Sequence, residues 1–162
     1  MSKLLERKSV IKVKEYLEYI DNSINLIVLD ETARTAKDAA SSLNKEVGAI
    51  VKSLLFKNKE TSNYYLCLIS GDRYADTTKI SELLNIKIEK ANADECKEFT
   101  GFSIGGVSPV AHDNIPKEIF IDKNLNRYEM IYAAAGHPYV VFGISYNKLC
   151  EITKGKVANI AS

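Results

Sequence analysis

Tryptophan and glutamine are missing from this sequence, and cysteine, histidine and proline are scarce: three, two and three of 162 residues. Cys67, Cys96 and Cys150 are odd in number and far apart, with no C-x-x-C pair. Neither a zinc knuckle nor a redox dithiol is supported, and reduced, buried thiols in a cytosol fit this usage. The two histidines, His112 and His137, are too widely separated to form a metal site by spacing, and no H-x-E or H-E-x-x-H motif is present. No G-x-S-x-G elbow occurs, and no Ser or Cys has an evident base beside it. No cofactor and no metal are expected. An enzyme built from these parts lacks a protein nucleophile, so it must activate water by positioning or borrow a group from its substrate.

An excess of charge is lacking too. The formal net charge is +1, which excludes a protein that lives on non-specific nucleic-acid binding, because such binding needs a broad basic field. Any RNA contact must be local. No apolar run approaches the roughly 20 residues of a membrane span, and the amino-terminal stretch MSKLLERKSVIKVKEYLEYI is charged throughout, without the apolar region of a signal peptide. A cytoplasmic chain with no membrane partner is expected. What is present is ordinary for a globular protein, 46% hydrophobic and 27% charged, and the length predicts one domain over residues 1–162.

Apolar residues at Val10, Val13, Leu17 and Ile20 predict a helix from Ser9, with Ser9 as its N-cap. The run 24–29 (INLIVL) reads as a strand, and Thr35 caps a small-residue helix through Leu43. Residues 46–57 (EVGAIVKSLLFK) give a long strand, followed by a polar turn and a second strand over 64–70, together a hairpin. Asp76 or Thr77 caps a helix to Leu84. Residues 86–89 form a brief strand, and 92–100 a helix ended by Gly101. An irregular glycine-rich stretch (GFSIGGVSPVAH) follows. Strands are expected over 118–121, 128–133 and 139–144, with a turn at 122–126 and a final helix from Ser145 to Ile152. The pattern predicts a mixed α/β fold, a curved and largely antiparallel sheet flanked by helices.

Three features carry chemistry. Lys52 sits in the middle of a strand that is apolar on both faces, and burying an unpartnered ammonium costs several kcal/mol. It demands an acidic partner or an anionic ligand, unless it snorkels or forms a structural ion pair. The stretch GFSIGGVSP, with Gly101, Gly105 and Gly106, can either form an anion-binding nest of backbone amides or serve as a plain turn. The turn Ala135-Gly136-His137-Pro138 puts His137 where strands end, a position shared by functional and merely solvated histidines. His112, three residues after Pro109, reads as structural.

At these residues the chain resembles the YbaK/ProX deacylases, free-standing relatives of the prolyl-tRNA synthetase editing domain. The resemblance runs from Thr35 to Ile152. It rests on an ordered set: the helix 35–43, the lysine-bearing strand AIVKSLLF, the segment LISGDRYAD, the loop TGFSIGGVSP, the strand IFID and the AAGHP turn. It implies a barrel-like sheet flanked by helices and hydrolysis of mischarged tRNA in trans, with tRNA(Pro) carrying Ala or Cys as the expected substrate. Lys52 corresponds to the family's functional lysine. Gly105, Gly106 and Val107, with Ser108 and Pro109 after them, correspond to the loop beside the reacting ester, and Gly136 and His137 to the loop contacting the aminoacyl group. Ser53 stands where alanine-specific members often carry Asn. The implied partners are the 3′ aminoacyl-adenosine end of tRNA and prolyl-tRNA synthetase. The alternatives are a non-catalytic tRNA- or nucleotide-binding module associated with a synthetase, and an esterase that acts on another small ester.

Overall fold

The structure, a computed structural model, describes residues 3–30 and 33–162. Among the described residues there are five α-helices, four of which are started by side chains that satisfy free backbone donors. Helix α2 (Ala36–Leu43) opens on a capping box: the Thr35 hydroxyl accepts from the Asp38 N–H, and the Asp38 carboxylate accepts from Thr35. Helix α4 (Ala93–Thr100) repeats the device with Asn92 and Glu95 and stops at Gly101, whose φ of +85° suits glycine. Asp76 caps α3 (Thr77–Leu84) and Ser145 caps α5 (Tyr146–Thr153).

Helix α1 (Lys8–Ile20) buries Val10, Val13 and Leu17, each burial worth about 1.5–3 kcal/mol. Its N-cap lies two residues earlier than the sequence suggests. Arg7 occupies the N-cap without a side-chain bond, and the Ser9 hydroxyl instead donates 2.8 Å to the Gly136 carbonyl, 127 residues away. A long-range acceptor has taken the group that local rules assign to capping.

The strands are β1 (Leu26–Val28), β2 (Val51–Asn58), β3 (Tyr64–Ser70), β4 (Ile88–Lys90), β5 (Glu118–Asp122), β6 (Met130–His137), β7 (Val140–Ser145) and β8 (Lys156–Ala158). They form two sheets, of order β4-β2-β3-β5-β8 and β1-β7-β6. The β2–β3 hairpin is antiparallel, from Val51 opposite Ser70 to Lys57 opposite Tyr64. The β1–β7, β2–β4 and β6–β7 pairs are antiparallel as well, whereas β5 runs parallel to β3 and β8. The fold is therefore mixed α/β and largely antiparallel. Its sheets do not close into a barrel: among the described residues, one parallel bridge, Ile50 to Tyr132, joins them.

Three expectations change. Residues 47–49 form a 3₁₀ turn, so β2 starts at Val51. The turn after β5 is a 3₁₀ helix, Lys123–Arg127, that carries the chain from one sheet to the other. Its start is fixed by Asp122, fully buried, whose carboxylate accepts from the N–H groups of Ser70 and Asn124. Strand β8 has no strong alternation and was invisible to periodicity. The three cysteines are free.

Candidate functional site

The site begins with an incomplete ladder. Strand β4 pairs only with Phe56, Lys57 and Asn58 of β2, and Ala91 N–H donates to the Leu55 carbonyl. Backbone groups alternate direction along a strand, so Ser53, two residues before Leu55, presents its N–H and C=O to this same edge. Beyond the end of β4 that edge is open.

A cavity of about 260 Å³ lies along it. It occupies the seam between two apolar clusters: Val51, Leu55, Ala91, Cys96 and Val107 belong to one, Ala39, Ile50, Tyr132 and Val141 to the other. The charged lining residues are Arg34, Lys52 and Lys90; no Asp or Glu is among the described residues that line it. A near-neutral chain has gathered three cations at one concave, mostly apolar site. That is how a local anion-binding site arises without a global field. Ser53 adds a buried hydroxyl oxygen with no partner. Buried polar side chains are nearly always paired, so an orphan on a cavity wall points to a ligand group.

Lys52 is half-buried. Its ammonium donates to the Arg73 carbonyl and lies 4.8 Å from the centre of the Tyr74 ring. Desolvation pulls its pKa below the usual lysine value, and the charges of Asp72 and Asp122 partly restore it. The expected acidic partner is therefore a carbonyl and an aromatic face. Asp72 itself is engaged by Arg127, through bonds of 2.7 and 3.0 Å, which with the Ser70 hydroxyl hold its carboxyl down at about 2.

The two glycine bends meet. A Cβ on Gly106 would come within 2.9 Å of the His137 Cα, and one on Gly105 within 3.4 Å of the Pro138 ring. Gly105 takes φ +92° and Gly136 φ +91°, and a Cβ on Gly136 would overlap the Ser9 carbonyl. Lys52, Ser53, Gly105 and Val107 share the cavity wall; Gly106, Ser108, Pro109, Gly136 and His137 do not line it. The Gly106 N–H is bonded to the Ser103 carbonyl at 2.9 Å, so that amide is already engaged within the loop, while Gly105 and Val107 on either side of it line the cavity. The Ser108 hydroxyl, fully buried, accepts from Val110 N–H. His137 Nδ1 accepts the Tyr139 N–H at 3.1 Å, and desolvation lowers its pKa below the usual histidine value. His112, largely buried and shifted downward by desolvation, donates from Nε2 to the Ser108 carbonyl at 2.7 Å. It braces the loop.

Arg34 and Lys90 carried no sequence signal: each sits in a polar stretch and looks like any solvated cation. Cys96 also lines the cavity, but burial raises its pKa and keeps it a thiol. Among the described residues, no cluster of three or more His, Cys, Asp or Glu could hold a metal ion, and no helix is long and apolar enough to cross a membrane.

Comparison with known proteins identifies the family. Residues 30–152 match the family model of the aminoacyl-tRNA editing domain. The chain is 28% identical over 130 residues to "Uncharacterized protein YwhH" of Bacillus subtilis, covering 79% of this chain and 80% of that one. It is 33% identical over 89 residues to a proline–tRNA ligase of Thermosipho africanus, covering 54% of this chain and 16% of the ligase. A solved structure described as "a putative trans-editing enzyme for prolyl tRNA synthetase" superposes with a TM-score of 0.90 at 34% identity, covering 96% of this chain and 98% of that one. The hypothetical protein APE2540 superposes at 0.83 with 27% identity, covering 93% and 99%. The chain belongs to the aminoacyl-tRNA editing domain family.

Proposed function

We propose that this protein is an aminoacyl-tRNA deacylase that hydrolyses, in trans, the ester of a mischarged tRNA, with tRNA(Pro) carrying a small amino acid such as Ala or Cys as the expected substrate. The observation that carries the reading is the cavity on the open edge of β2. It combines three cations, no described carboxylate, an orphaned Ser53 hydroxyl and the glycine-loop residues Gly105 and Val107 in one apolar hollow. A phosphodiester joined to a short aminoacyl ester supplies the complementary groups: negative charge for the cations, a carbonyl for the amides, a small side chain for the hollow.

Water attacks the ester carbonyl. The C–O bond to the ribose breaks, and the products are the free amino acid and a tRNA with its terminal hydroxyl restored. The developing oxyanion is met by the N–H groups of Gly105 and Val107. One such donor contributes roughly 3 kcal/mol. Lys52 supplies positive charge to the terminal phosphate or to the ester. His137 is not placed to act as base: its ring is off the cavity wall and its Nδ1 is occupied. The group left to orient the water is the substrate's own ribose hydroxyl beside the ester. An aminoacyl ester is already activated, so positioning can supply much of the acceleration. Selectivity follows from size, since one methylene in an apolar pocket discriminates by about 10–200-fold.

The test is discharge of a panel of mischarged tRNAs by wild type and Lys52→Ala. Loss of discharge in a folded Lys52→Ala supports the reading. Protection of the charged tRNA by the wild type replaces it with a non-catalytic binding module, and turnover of small esters without tRNA replaces it with a general esterase.

A further inference from the structure

We infer that the outer face of the Tyr74 ring is a stacking platform for a nucleobase of the tRNA acceptor end, a subsite beside the cavity; the inference rests on the tRNA reading above. Tyr74 is 77% exposed, although a large ring left in water forfeits the burial that usually retains it. One of its faces is taken: the Lys52 ammonium lies 4.8 Å from the ring centre. The other is open. Because Lys52 also lines the cavity, the ring stands one side chain away from the hollow assigned to the ester.

The ring is exposed but its backbone is pinned. Tyr74 N–H donates to the Ser162 carbonyl at 3.1 Å and the Ser162 N–H returns to Tyr74 at 2.9 Å. Ala75 bridges Ala161, and Asp76 N–H donates to Ile160 at 2.9 Å. A pre-placed aromatic gives up little freedom on binding. Every base presents a π-face, so stacking on tyrosine is tolerant of sequence. The surroundings suit the phosphates that accompany a base: Lys52 lies against the ring, Arg73 precedes it, and the negative charge of Asp72 is answered by Arg127. Tyr19 is more exposed, at 91%, but among the described residues no cavity-lining cation lies over its ring, so it makes no comparable pair.

The absence of tryptophan from the chain makes the test direct, because Tyr74→Trp installs a single indole at the subsite. Titration with a CCA trinucleotide should quench its fluorescence saturably, whereas the abasic sugar-phosphate of the same length should not. In steady-state discharge of mischarged tRNA, Tyr74→Ala should raise KM about 5- to 150-fold, the range of one base–aromatic stack, with kcat near wild type, and Tyr74→Phe should keep both. An unchanged KM, or a fall in kcat alone, would overturn the inference; the second would mean that the ring acts through Lys52. The two readings fail separately. A wild type that discharges tRNA while the indole stays unquenched removes the platform and leaves the deacylase. Quenching by CCA in a protein that discharges nothing removes the deacylase and leaves the platform.

Discussion

Gly106 and His137 lie so close that a side-chain carbon on the glycine would sit 2.9 Å from the histidine Cα and 3.0 Å from its backbone nitrogen. This contact brings the loop after α4 against the β6–β7 bend and shapes one end of the cavity. Its obstacle is backbone, which cannot swing aside as a flexible side chain can. Gly106→Ala should therefore push the loops apart, costing about 1–3 kcal/mol and displacing the Gly105 and Val107 amides. Urea denaturation and tRNA discharge measure the two effects. A variant with wild-type stability and rate would show that the loops tolerate separation.

Lys52→Met should cost little stability. The half-buried ammonium has a carbonyl and a ring as partners, and its pKa is depressed by desolvation, so the fold bears a cost for holding it charged. Replacing it with an apolar side chain of similar length should leave the urea midpoint unchanged or raised, while discharge falls about 10²–10³-fold. A large loss of stability would make Lys52 a structural residue instead.

The depressed Lys52 pKa also sets a pH limit. The ammonium deprotonates below the ordinary lysine value of 10.5, so a rate that depends on its charge should fall on the alkaline side before an unperturbed lysine would titrate. The sign for stability is opposite. Between the folded pKa and 10.5 the unfolded chain binds more protons, so stability rises with pH across that window. Asp72 pulls the Lys52 pKa upward. Asp72→Asn should shift the alkaline limb of the rate to lower pH, and a pH–rate profile of the two proteins decides it.

Asp72 should mark the acid limb of stability. Its carboxyl is lowered from 3.8 to about 2, chiefly by Arg127. Its stabilisation is present above pH 3.8 and is lost as pH falls through the folded value. The carboxylate is partly exposed, so the contribution is about 1 kcal/mol or less. Asp72→Asn should flatten the decline between roughly pH 4 and pH 2, as read by urea melts across that range.

His137→Asn should keep most of the activity. Its carboxamide oxygen can accept the Tyr139 N–H that Nδ1 now takes, and the imidazole does not reach the cavity wall. Parallel discharge assays test this. A loss of two or more orders of magnitude, within the roughly 10²–10⁴-fold contribution expected of a general acid–base group, would restore the histidine to the mechanism.

Much of the local structure was legible in the sequence because its causes act over a few residues. Thr35 caps its helix as read, Asp76 rather than Thr77 caps the next, and Asn92 and Ser145, read as the first residues of their helices, are their N-caps; Gly101 ends α4 in the left-handed region that glycine tolerates. The β2–β3 hairpin follows from two apolar runs and a short polar turn. Lys52 stood out because an ammonium in a two-sided apolar strand is costly wherever the strand is placed. Ser9 shows the limit: its hydroxyl suits an N-cap, but the Gly136 carbonyl, delivered by β6, is the better-placed acceptor.

The amino-acid order by itself determined the helices, the central hairpin and the anomalous lysine, since hydrogen-bond capping and side-chain alternation need only near neighbours. Tertiary structure alone decided that β4 stops short and leaves the edge beside Ser53 uncovered, and that Arg34 and Lys90 come to the rim where Lys52 stands. It also decided that the Gly106 and His137 backbones, 31 positions apart, come close enough to leave no room for a side chain on the glycine. Those outcomes depend on how two sheets pack around shared apolar clusters, a balance struck between residues dozens of positions apart, which no local pattern encodes.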